Sequence, residues 1–210
     1  MNHTKSRRAI KDYNKVLEIN PQDADAYYSR GNVYSDLKEY DKAIKDYNKA
    51  LEIDPQYAYA YSGRGNVYSD LKEYDKAMAE YSKAIEINPQ YADAYYNRGL
   101  VYHNLKEYDK AMADYNKTIE INPQYADAYL VRGLVYDDLK EYDKAMADYN
   151  KAIEINPQYA YVYYNRGNVY YNLKEYDKAI KDYNKALEID PQYADASNNK
   201  KLAEEAKRNQ

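Results

Sequence analysis

A period of 34 residues is the feature of this sequence that most constrains its fold. The string LKEYDKA occurs five times, first at Leu37, and each copy begins 34 residues after the last. The six prolines, from Pro21 to Pro191, keep the same spacing, as do all the glycines except Gly63. A fixed period of this length indicates a repeat architecture, in which one short structural unit is copied along the chain.

Each repeat reads as two helices. In the repeat Ala92–Tyr125, tyrosine, glycine and tyrosine follow one another at spacings of four and three residues from Tyr95, which is a helical periodicity. A second stripe of this kind runs from Tyr108 to Ile121 and ends at Asn-Pro, where proline cannot continue the helix. We expect the break between the two helices around Leu105–Glu107, although neither proline nor glycine marks it.

A single helical hairpin cannot bury both of its apolar faces, whereas a stack of hairpins can. In LKEYDKA, the leucine and tyrosine are suited to packing, the alanine lets the next helix come close, and the charged residues face water. A catalytic role would need a nucleophile or an acid–base pair, and the string has neither. We therefore interpret it as part of the framework of an all-α fold, and we predict no enzymatic activity.

The repeats resemble the tetratricopeptide repeat family, whose pattern is W-x2-L-G-x2-Y, then A-x3-F, then P. YYNRGLVY from Tyr95, AMADY from Ala111 and Pro123 match it, with Tyr for Trp, Arg for Leu and Tyr for Phe. The resemblance covers nearly the whole chain. It implies an α-solenoid of antiparallel helix pairs in a right-handed superhelix. It also implies that the first helices line a concave groove, which holds peptides or partner proteins.

We expect one repeat domain over residues 1–210, with a half repeat at residues 8–23 and a capping helix at residues 194–210. Between them lie five full repeats: Ala24–Tyr57, Ala58–Tyr91, Ala92–Tyr125, Ala126–Tyr159 and Ala160–Tyr193. The last segment has Ser197, Lys201 and Glu204 where the repeats have Tyr, Gly and Tyr. Polar residues at packing places suit a terminal helix whose outer face meets water.

The N-terminal half repeat lacks a first helix, because Met1–Arg7 is too short and too polar to supply one. We expect the stripe of Ala9, Tyr13 and Leu17 to be partly bare, and exposed apolar stripes tend to find partners. Two alternatives follow: homo-association through this end, or a cut in a longer array.

Composition and charge exclude several classes of function. A net charge of −4 argues against nucleic acid, which needs a basic surface, and the absence of cysteine excludes disulfides and thiolate metal sites. No apolar run is long enough to span a membrane, and the N-terminus lacks an apolar signal core. We expect a cytoplasmic protein with no cofactor and no bound metal.

A ladder of charges also follows the period. Arginine precedes the framework glycine of each repeat, and an acid recurs in each second helix, 18 residues before a cation of the next unit. One such pair is Asp46 and Arg64, and the last is Asp182 with Lys200. Pairing between units leaves no charge over, so we predict salt bridges between neighbouring units.

The tyrosines indicate a surface. Five framework tyrosines in each of five repeats, together with Tyr13, make 26 of the 32, and six remain. Counting each repeat from its leading alanine as place one, these six stand at places two, five and twelve. The family resemblance implies that side chains at these places, and at place nine, face the groove. The alternative is that the extra tyrosines mean nothing, because tyrosine is common in this chain.

The candidate groove residues are therefore the extra tyrosines, three leucines and three asparagines at related places, and one histidine at place twelve. They are Tyr28, Asn32, Tyr59, Asn66, Tyr96, Leu100, His103, Leu130, Leu134, Tyr161, Tyr164, Asn168 and Tyr171. For His103 alone among them, a surface residue with no role is the favoured interpretation.

Aspartates make the groove acidic: Asp25, Asp36, Asp70, Asp93, Asp127, Asp137 and Asp138. The cations with which chaperone-binding members of the family hold a C-terminal carboxylate are missing from places two and five. We therefore predict an adaptor that binds a protein or peptide with apolar and basic residues. The alternative is a structural spacer or a self-associating array, natural or engineered, with no groove ligand.

Overall fold

The computed structural model describes residues 3–209, with the side chain of His3 excepted. This part of the chain consists of twelve helices and contains no strand. The helices are α1 (His3–Ile19), α2 (Ala24–Asp36), α3 (Tyr40–Ile53), α4 (Ala58–Asp70), α5 (Tyr74–Ile87), α6 (Ala92–Asn104), α7 (Tyr108–Ile121), α8 (Ala126–Asp138), α9 (Tyr142–Ile155), α10 (Ala160–Asn172), α11 (Tyr176–Ile189) and α12 (Ala194–Arg208).

The chain forms two compact units, the first ending at Glu107 and the second beginning at Tyr108. In the first unit α2 packs on α3 and α4 on α5, while α3 also packs on α4 and α5 on α6. In the second unit α8 packs on α9 and α10 on α11, and α9 and α11 each pack on the following helix. Within both units the hairpins thus stack one upon the next, and the predicted all-α solenoid fold is confirmed.

The turn inside each hairpin explains how a helix ends without proline or glycine. After α2, the amide of Glu39 donates to the carbonyl of Tyr34 at 2.9 Å, and that of Lys38 to the carbonyl of Ser35 at 2.8 Å. This is a Schellman motif, which needs a left-handed residue and normally takes glycine. Here lysine adopts that conformation with φ of 59° to 61°, at Lys38, Lys72, Lys106, Lys140 and Lys174.

The break expected around Leu105–Glu107 is therefore confirmed, since α6 ends at Asn104 and α7 begins at Tyr108.

Buried tyrosine forms the centre of the repeats. The largest fully buried side chains are Tyr47, Tyr81, Tyr115, Tyr149 and Tyr183. A Cβ atom added to Gly31 would lie 2.8 Å from Tyr47 Cε1, and one added to Gly63 would lie 2.9 Å from the same atom. The Tyr47 ring therefore contacts the backbone of its own repeat and of the next. Packing against this ring explains why glycine stands at position 63, outside the period, although glycine is unfavourable within a helix.

The predicted salt bridges between units are wrong. Arg64 pairs with Glu80 of its own hairpin rather than with Asp46, at 2.8 Å between Nη2 and Oε2. Arg30 likewise pairs with Asp46, through Nε and Oδ2 at 2.7 Å. Nζ of Lys200 lies 3.8 Å from Oε1 of Glu204, which belongs to the same helix.

Hydrogen bonds from arginine to a neutral asparagine side chain make the link between repeats that ion pairs were expected to make. The third guanidinium nitrogen of Arg30 donates to Oδ1 of Asn14 at 2.7 Å, and that of Arg166 donates to Asn150 at 2.6 Å. In each case the asparagine belongs to the preceding second helix. Two nitrogens of the guanidinium group therefore bind the carboxylate of the same hairpin. The third nitrogen donates to the asparagine of the preceding repeat. The charge count could not reveal this arrangement, because it ignored amide acceptors.

The C-terminal helix α12 packs through its alanines. In α12, Ala196 and Ala203 are buried, while Leu202 is 51% exposed and Lys201 is exposed. The helix thus meets its neighbours through small residues and leaves both Lys201 and Leu202 exposed.

At the other end α1 begins at His3, earlier than the predicted half repeat, and Met1 and Asn2 lie outside the described residues. Ala9 and Tyr13 are half-buried and Leu17 is buried, so the expected bare stripe is partly covered. Self-association through this end stays a prediction.

Candidate functional site on the first helices

Two groups of contacting tyrosine rings stand out, one in each unit. The unit-1 tyrosine cluster consists of Tyr28, Tyr57, Tyr59 and Tyr91. Ring centroids lie 5.3 Å apart between Tyr28 and Tyr57, and 4.8 Å apart between Tyr59 and Tyr91. Tyr59 is 46% exposed, while the other three rings are half-buried. The cluster thus presents one open ring on a base of packed aromatic residues.

The unit-2 tyrosine cluster consists of Tyr161, Tyr164 and Tyr193. The ring centroid of Tyr164 lies 6.3 Å from that of Tyr161, in a stacked arrangement, and 5.0 Å from that of Tyr193. Tyr161 is 44% exposed and stands at the same place in its repeat as Tyr59. Aromatic contacts of this kind contribute about 0.5–1.5 kcal/mol beyond the area they bury.

The sequence prediction missed three of the seven tyrosines in the two clusters. It assigned Tyr57, Tyr91 and Tyr193 to the framework, since each closes a repeat. Their rings nevertheless contact the extra tyrosines at place two or five. The signal was available: a residue that closes one repeat is a sequence neighbour of place two of the next.

The two other predicted tyrosines lie on α6 and α10. Tyr171 contacts Tyr176 at 5.5 Å, near the start of α11. Tyr96 is half-buried on α6, as are Leu100 and His103.

Two of the predicted apolar residues differ in accessibility. Leu134 is half-buried, but Leu130 is only 4% exposed and packs in the core with Tyr149. Leu130 is therefore a core residue and cannot be an exposed anchor without movement.

The predicted asparagines accept hydrogen bonds from buried tyrosines. Oδ1 of Asn32 accepts from the Tyr47 hydroxyl at 2.7 Å, and Asn66 accepts from Tyr81 at 2.8 Å. Asn168 accepts from Tyr183 at 2.8 Å, and also from Nδ2 of Asn199 at 2.9 Å. These amides therefore have a structural role whether or not they touch a ligand. The sequence already indicated that such acceptors are needed, because tyrosine in place of phenylalanine brings a hydroxyl that requires a hydrogen-bond partner when it is buried.

Several of the predicted groove acids are also engaged. Asp25 accepts a hydrogen bond from the Tyr57 hydroxyl, and Asp127 accepts one from Tyr159 at 2.5 Å. Burial raises the pKa of Tyr57, and its hydrogen bond to the Asp25 carboxylate raises it further. Asp137 is different: it is half-buried and makes no side-chain hydrogen bond or ion pair within residues 3–209. Burial raises the pKa of its carboxyl, and the charge of Asp138 adds to the effect.

A second kind of surface lies beside the arginines. A cleft of about 640 Å³ is lined by Tyr27, Arg30 and neighbouring residues of α3, and one of about 430 Å³ is formed by equivalent residues of α10 and α11. Helices α3 and α11 are identical in sequence, and both carry a lysine where α5, α7 and α9 have alanine. Because Arg30 is paired with Asp46, most of the charge in the first cleft is already balanced.

Other kinds of site find no support in the described residues. Residues 3–209 bring together no set of three or more His, Asp or Glu side chains able to hold a metal ion. Nor does any helix among them have the length and apolar character needed to cross a membrane.

Comparisons with known proteins agree with this architecture. A family model described as TPR repeat matches residues 7–38, 65–106 and 133–174. Two models described as Tetratricopeptide repeat match residues 24–57, 92–125 and 160–193, and residues 46–79 and 114–147. No match was found among curated protein sequences.

Several solved structures are similar in fold to this chain. The chain is 30% identical to YrrB, a TPR protein with an unusual peptide-binding site, with a TM-score of 0.68 over 90% of this chain and 97% of that one. It is 32% identical to MamA, with a TM-score of 0.69 over 78% and 96% of the two chains. For pilF of Pseudomonas aeruginosa the identity is 25% and the TM-score 0.77, over 82% and 79%. The repeat pattern, the stacked hairpins and these matches together establish that the chain belongs to the tetratricopeptide repeat family.

Proposed function

We propose that this chain is an adaptor that binds segments of other proteins at two tyrosine clusters, each within one compact unit. Proteins of this family generally mediate protein–protein interactions, and YrrB is described as having a peptide-binding site. The observation that carries the proposal is the pair of half-exposed rings, Tyr59 and Tyr161, each seated on packed aromatic neighbours. A tyrosine held in this way offers a rigid apolar face and a hydroxyl at low entropic cost.

The chemistry of the surface favours a ligand with apolar anchors and basic residues. Aspartates flank the aromatic positions, and the chain carries a net charge of −4. Acidic residues beside an apolar patch steer cationic partners toward it and repel acidic ones. A Lys or Arg side chain over a tyrosine face adds about 0.5–1 kcal/mol where the ring is exposed. Binding should therefore weaken as the salt concentration rises.

A structural role for the same rings is the second candidate. Tyr28 contacts Tyr57 and Tyr59, and so links its own repeat to the next one. Tyr164 contacts Tyr193 within its own repeat, and its hydroxyl accepts a hydrogen bond from Nδ2 of Asn199 in α12 at 3.3 Å. If this packing were the whole purpose of the extra tyrosines, the chain would be a spacer without a ligand on this surface.

A screen of the purified full chain against a random peptide library separates the two candidates. An adaptor should select peptides in which aromatic or aliphatic residues are flanked by Lys or Arg. A spacer should select nothing above background. Selection of predominantly acidic peptides would contradict the proposed ligand chemistry.

A further inference from the structure

Helix α1 exposes a side that the corresponding helix α3 buries. Val16 is 40% exposed and Ile19 is 85% exposed, whereas Ala50, which stands 34 residues after Val16, is fully buried. Tyr13 is half-buried, but the corresponding Tyr47 is only 1% exposed. In the described part of the chain α3 has the first helix α2 packed on this side, and α1 has no helix in that position. We call this surface the bare side of α1.

The acid on α1 also lacks the partner that the corresponding acids have. Asp46 of α3 accepts hydrogen bonds from Nε and Nη2 of Arg30, both at 2.7 Å. The acids of α5, α9 and α11 are bound in the same way by the arginine of the preceding first helix. Asp12 stands 34 residues before Asp46, is exposed, and makes no ion pair or side-chain hydrogen bond with any described residue. The bare side therefore offers a free carboxylate beside its apolar residues.

The tyrosine ring on this side restricts what can pack there. In α2, glycine follows Arg30, and a Cβ atom on Gly31 would lie 2.8 Å from Tyr47 Cε1. A Cβ atom at the same place of α4, α8 or α10 would lie 2.6 to 2.8 Å from the tyrosine ring of the following helix. A helix that packs on Tyr13 in this geometry therefore needs glycine directly after its arginine.

We propose that the bare side of α1 binds a helix of another protein that carries the dipeptide Arg-Gly between apolar residues. The arginine binds the Asp12 carboxylate through two nitrogens, and the glycine lies against the ring of Tyr13. Apolar side chains of the same helix cover Val16 and Ile19. Burial of this apolar surface favours association, while the two-nitrogen ion pair fixes the register of the helix. The site shares no residue with the tyrosine clusters and is additional to the proposed function.

A second copy of this chain fits the bare side less well than a different protein does. Four of the five first helices hold their arginine on an acid of their own hairpin, and the fifth, α6, packs on α5. A copy could therefore offer such a helix only by opening one of its hairpins. The terminal helix α12 has Lys200 and Lys201 where the first helices have arginine and glycine. The Cβ atom of Lys201 would meet the Tyr13 ring.

The test uses a synthetic peptide with the sequence of residues 24–39, which contains Arg30 and Gly31. Because a helix of this length is marginal in water, the peptide carries one lactam bridge on the face opposite these two residues, and circular dichroism verifies that it is helical. The isotope-labelled full chain is titrated with this peptide, and amide chemical shifts are followed by NMR. We expect saturable shifts along residues 9–19.

Variants of the chain and of the peptide test the two recognition elements separately. Asp12→Asn in the chain should weaken binding about fivefold, through loss of the ion pair. The matched control is Glu18→Gln, which removes an exposed acid from the same helix and should leave the affinity within about twofold. Gly31→Leu in the peptide should weaken binding about tenfold or more, because the added side chain meets the Tyr13 ring.

A charge exchange provides the positive control. The Arg30→Glu peptide should bind the unaltered chain poorly and regain affinity for the Asp12→Arg chain, since the exchange restores an opposite-charge pair.

Four results would overturn the inference. They are no saturable shift along α1, or shifts confined to the tyrosine clusters; equal losses for Asp12→Asn and Glu18→Gln; full affinity of the Gly31→Leu peptide; and a dimer of the unaltered chain in sedimentation equilibrium that Asp12→Asn abolishes. The last result would show that a second copy occupies the bare side. The outcome of the peptide-library screen at the tyrosine clusters does not bear on any of these results.

Discussion

At the scale of single residues, the recurring problem of this protein is how to bury tyrosine. Its aromatic residues are all tyrosine, so every large ring in the interior carries a hydroxyl. Where Asn32, Asn66 or Asn168 is present, the hydroxyl has an acceptor. Where Leu134 replaces asparagine, the hydroxyl of Tyr149 has no acceptor among the residues that the structure describes.

This difference predicts opposite effects of the same substitution in two repeats. Tyr81→Phe removes a hydrogen bond to Asn66 and should lower the free energy of unfolding by about 1 kcal/mol. Tyr149→Phe removes an unpaired buried hydroxyl and should raise the free energy of unfolding by up to about 1 kcal/mol. Urea unfolding followed by circular dichroism measures both. Equal destabilisation by the two substitutions would mean that Tyr149 has a partner in solution.

At the scale of helices and turns, the hairpin depends on a lysine in a conformation that normally belongs to glycine. Lys72 has φ of 61° and joins α4 to α5, and its side chain is exposed. The left-handed conformation costs a residue with a Cβ atom about 1–2 kcal/mol. The same strain recurs at every hairpin turn of the described chain.

Lys72→Gly should therefore stabilise the protein, by about 0.5–1 kcal/mol once the greater entropy of glycine in the unfolded chain is subtracted. Lys72→Ala is the control, because alanine keeps the Cβ atom and should change stability little. Chemical denaturation of both variants gives the comparison. If glycine and alanine behave alike, the turn is not strained at this residue.

The ion pairs belong to the same scale. A double-mutant cycle on Arg64 and Glu80 should give a coupling energy of about 1 kcal/mol, since both side chains are partly buried and hydrogen-bonded. A parallel cycle on Arg64 and Asp46 should give a coupling near zero, because Asp46 pairs with Arg30. A coupling near zero for Arg64 and Glu80, with about 1 kcal/mol for Arg64 and Asp46, would show that the ion pairs join neighbouring repeats instead.

These cases mark how far the sequence could be interpreted. The period and the prolines predicted helical hairpins and their ends, because those depend on local spacing. The partner of Arg64 was not predictable, since acids 18 residues before it and 16 after it follow the same period. Four of the seven cluster tyrosines were predicted; Tyr57 and Tyr91 were among those missed, because the sequence does not show how a residue that closes a repeat packs on the rings beside it. Burial of Leu130, likewise, is decided by how α8 packs on its neighbours.

At the scale of the whole molecule, a core built on tyrosine should make stability sensitive to alkaline pH. Burial raises the pKa of Tyr47, Tyr81, Tyr149 and Tyr183 in the folded state, whereas tyrosine in the unfolded chain ionises at about 10. The folded state therefore retains protons that the unfolded state loses. Stability from this source is complete below about pH 10 and is lost as the pH rises above it.

The free energy of unfolding should thus be nearly constant from about pH 8 to 9 and fall steeply above about pH 10. Each buried tyrosine contributes about 1.4 kcal/mol per pH unit to that fall. Urea unfolding at several pH values measures the slope, and tyrosinate absorbance should rise together with loss of helix. Tyrosinate formation in a chain that stays helical would contradict the burial of these rings.

The central claim is that the half-exposed rings of the two tyrosine clusters bind a protein segment. The most direct test is the affinity of a library-selected peptide, measured by isothermal titration calorimetry, for the variant Tyr59→Ala/Tyr161→Ala. Its control is Leu71→Ala/Leu173→Ala, which removes side chains of similar exposure, 41% and 42%, from outside the clusters. We predict that the tyrosine variant stays folded and binds about tenfold or more weakly, while the leucine variant binds as the unaltered chain does. Unchanged affinity of the tyrosine variant, or equal losses for both variants, would contradict the account.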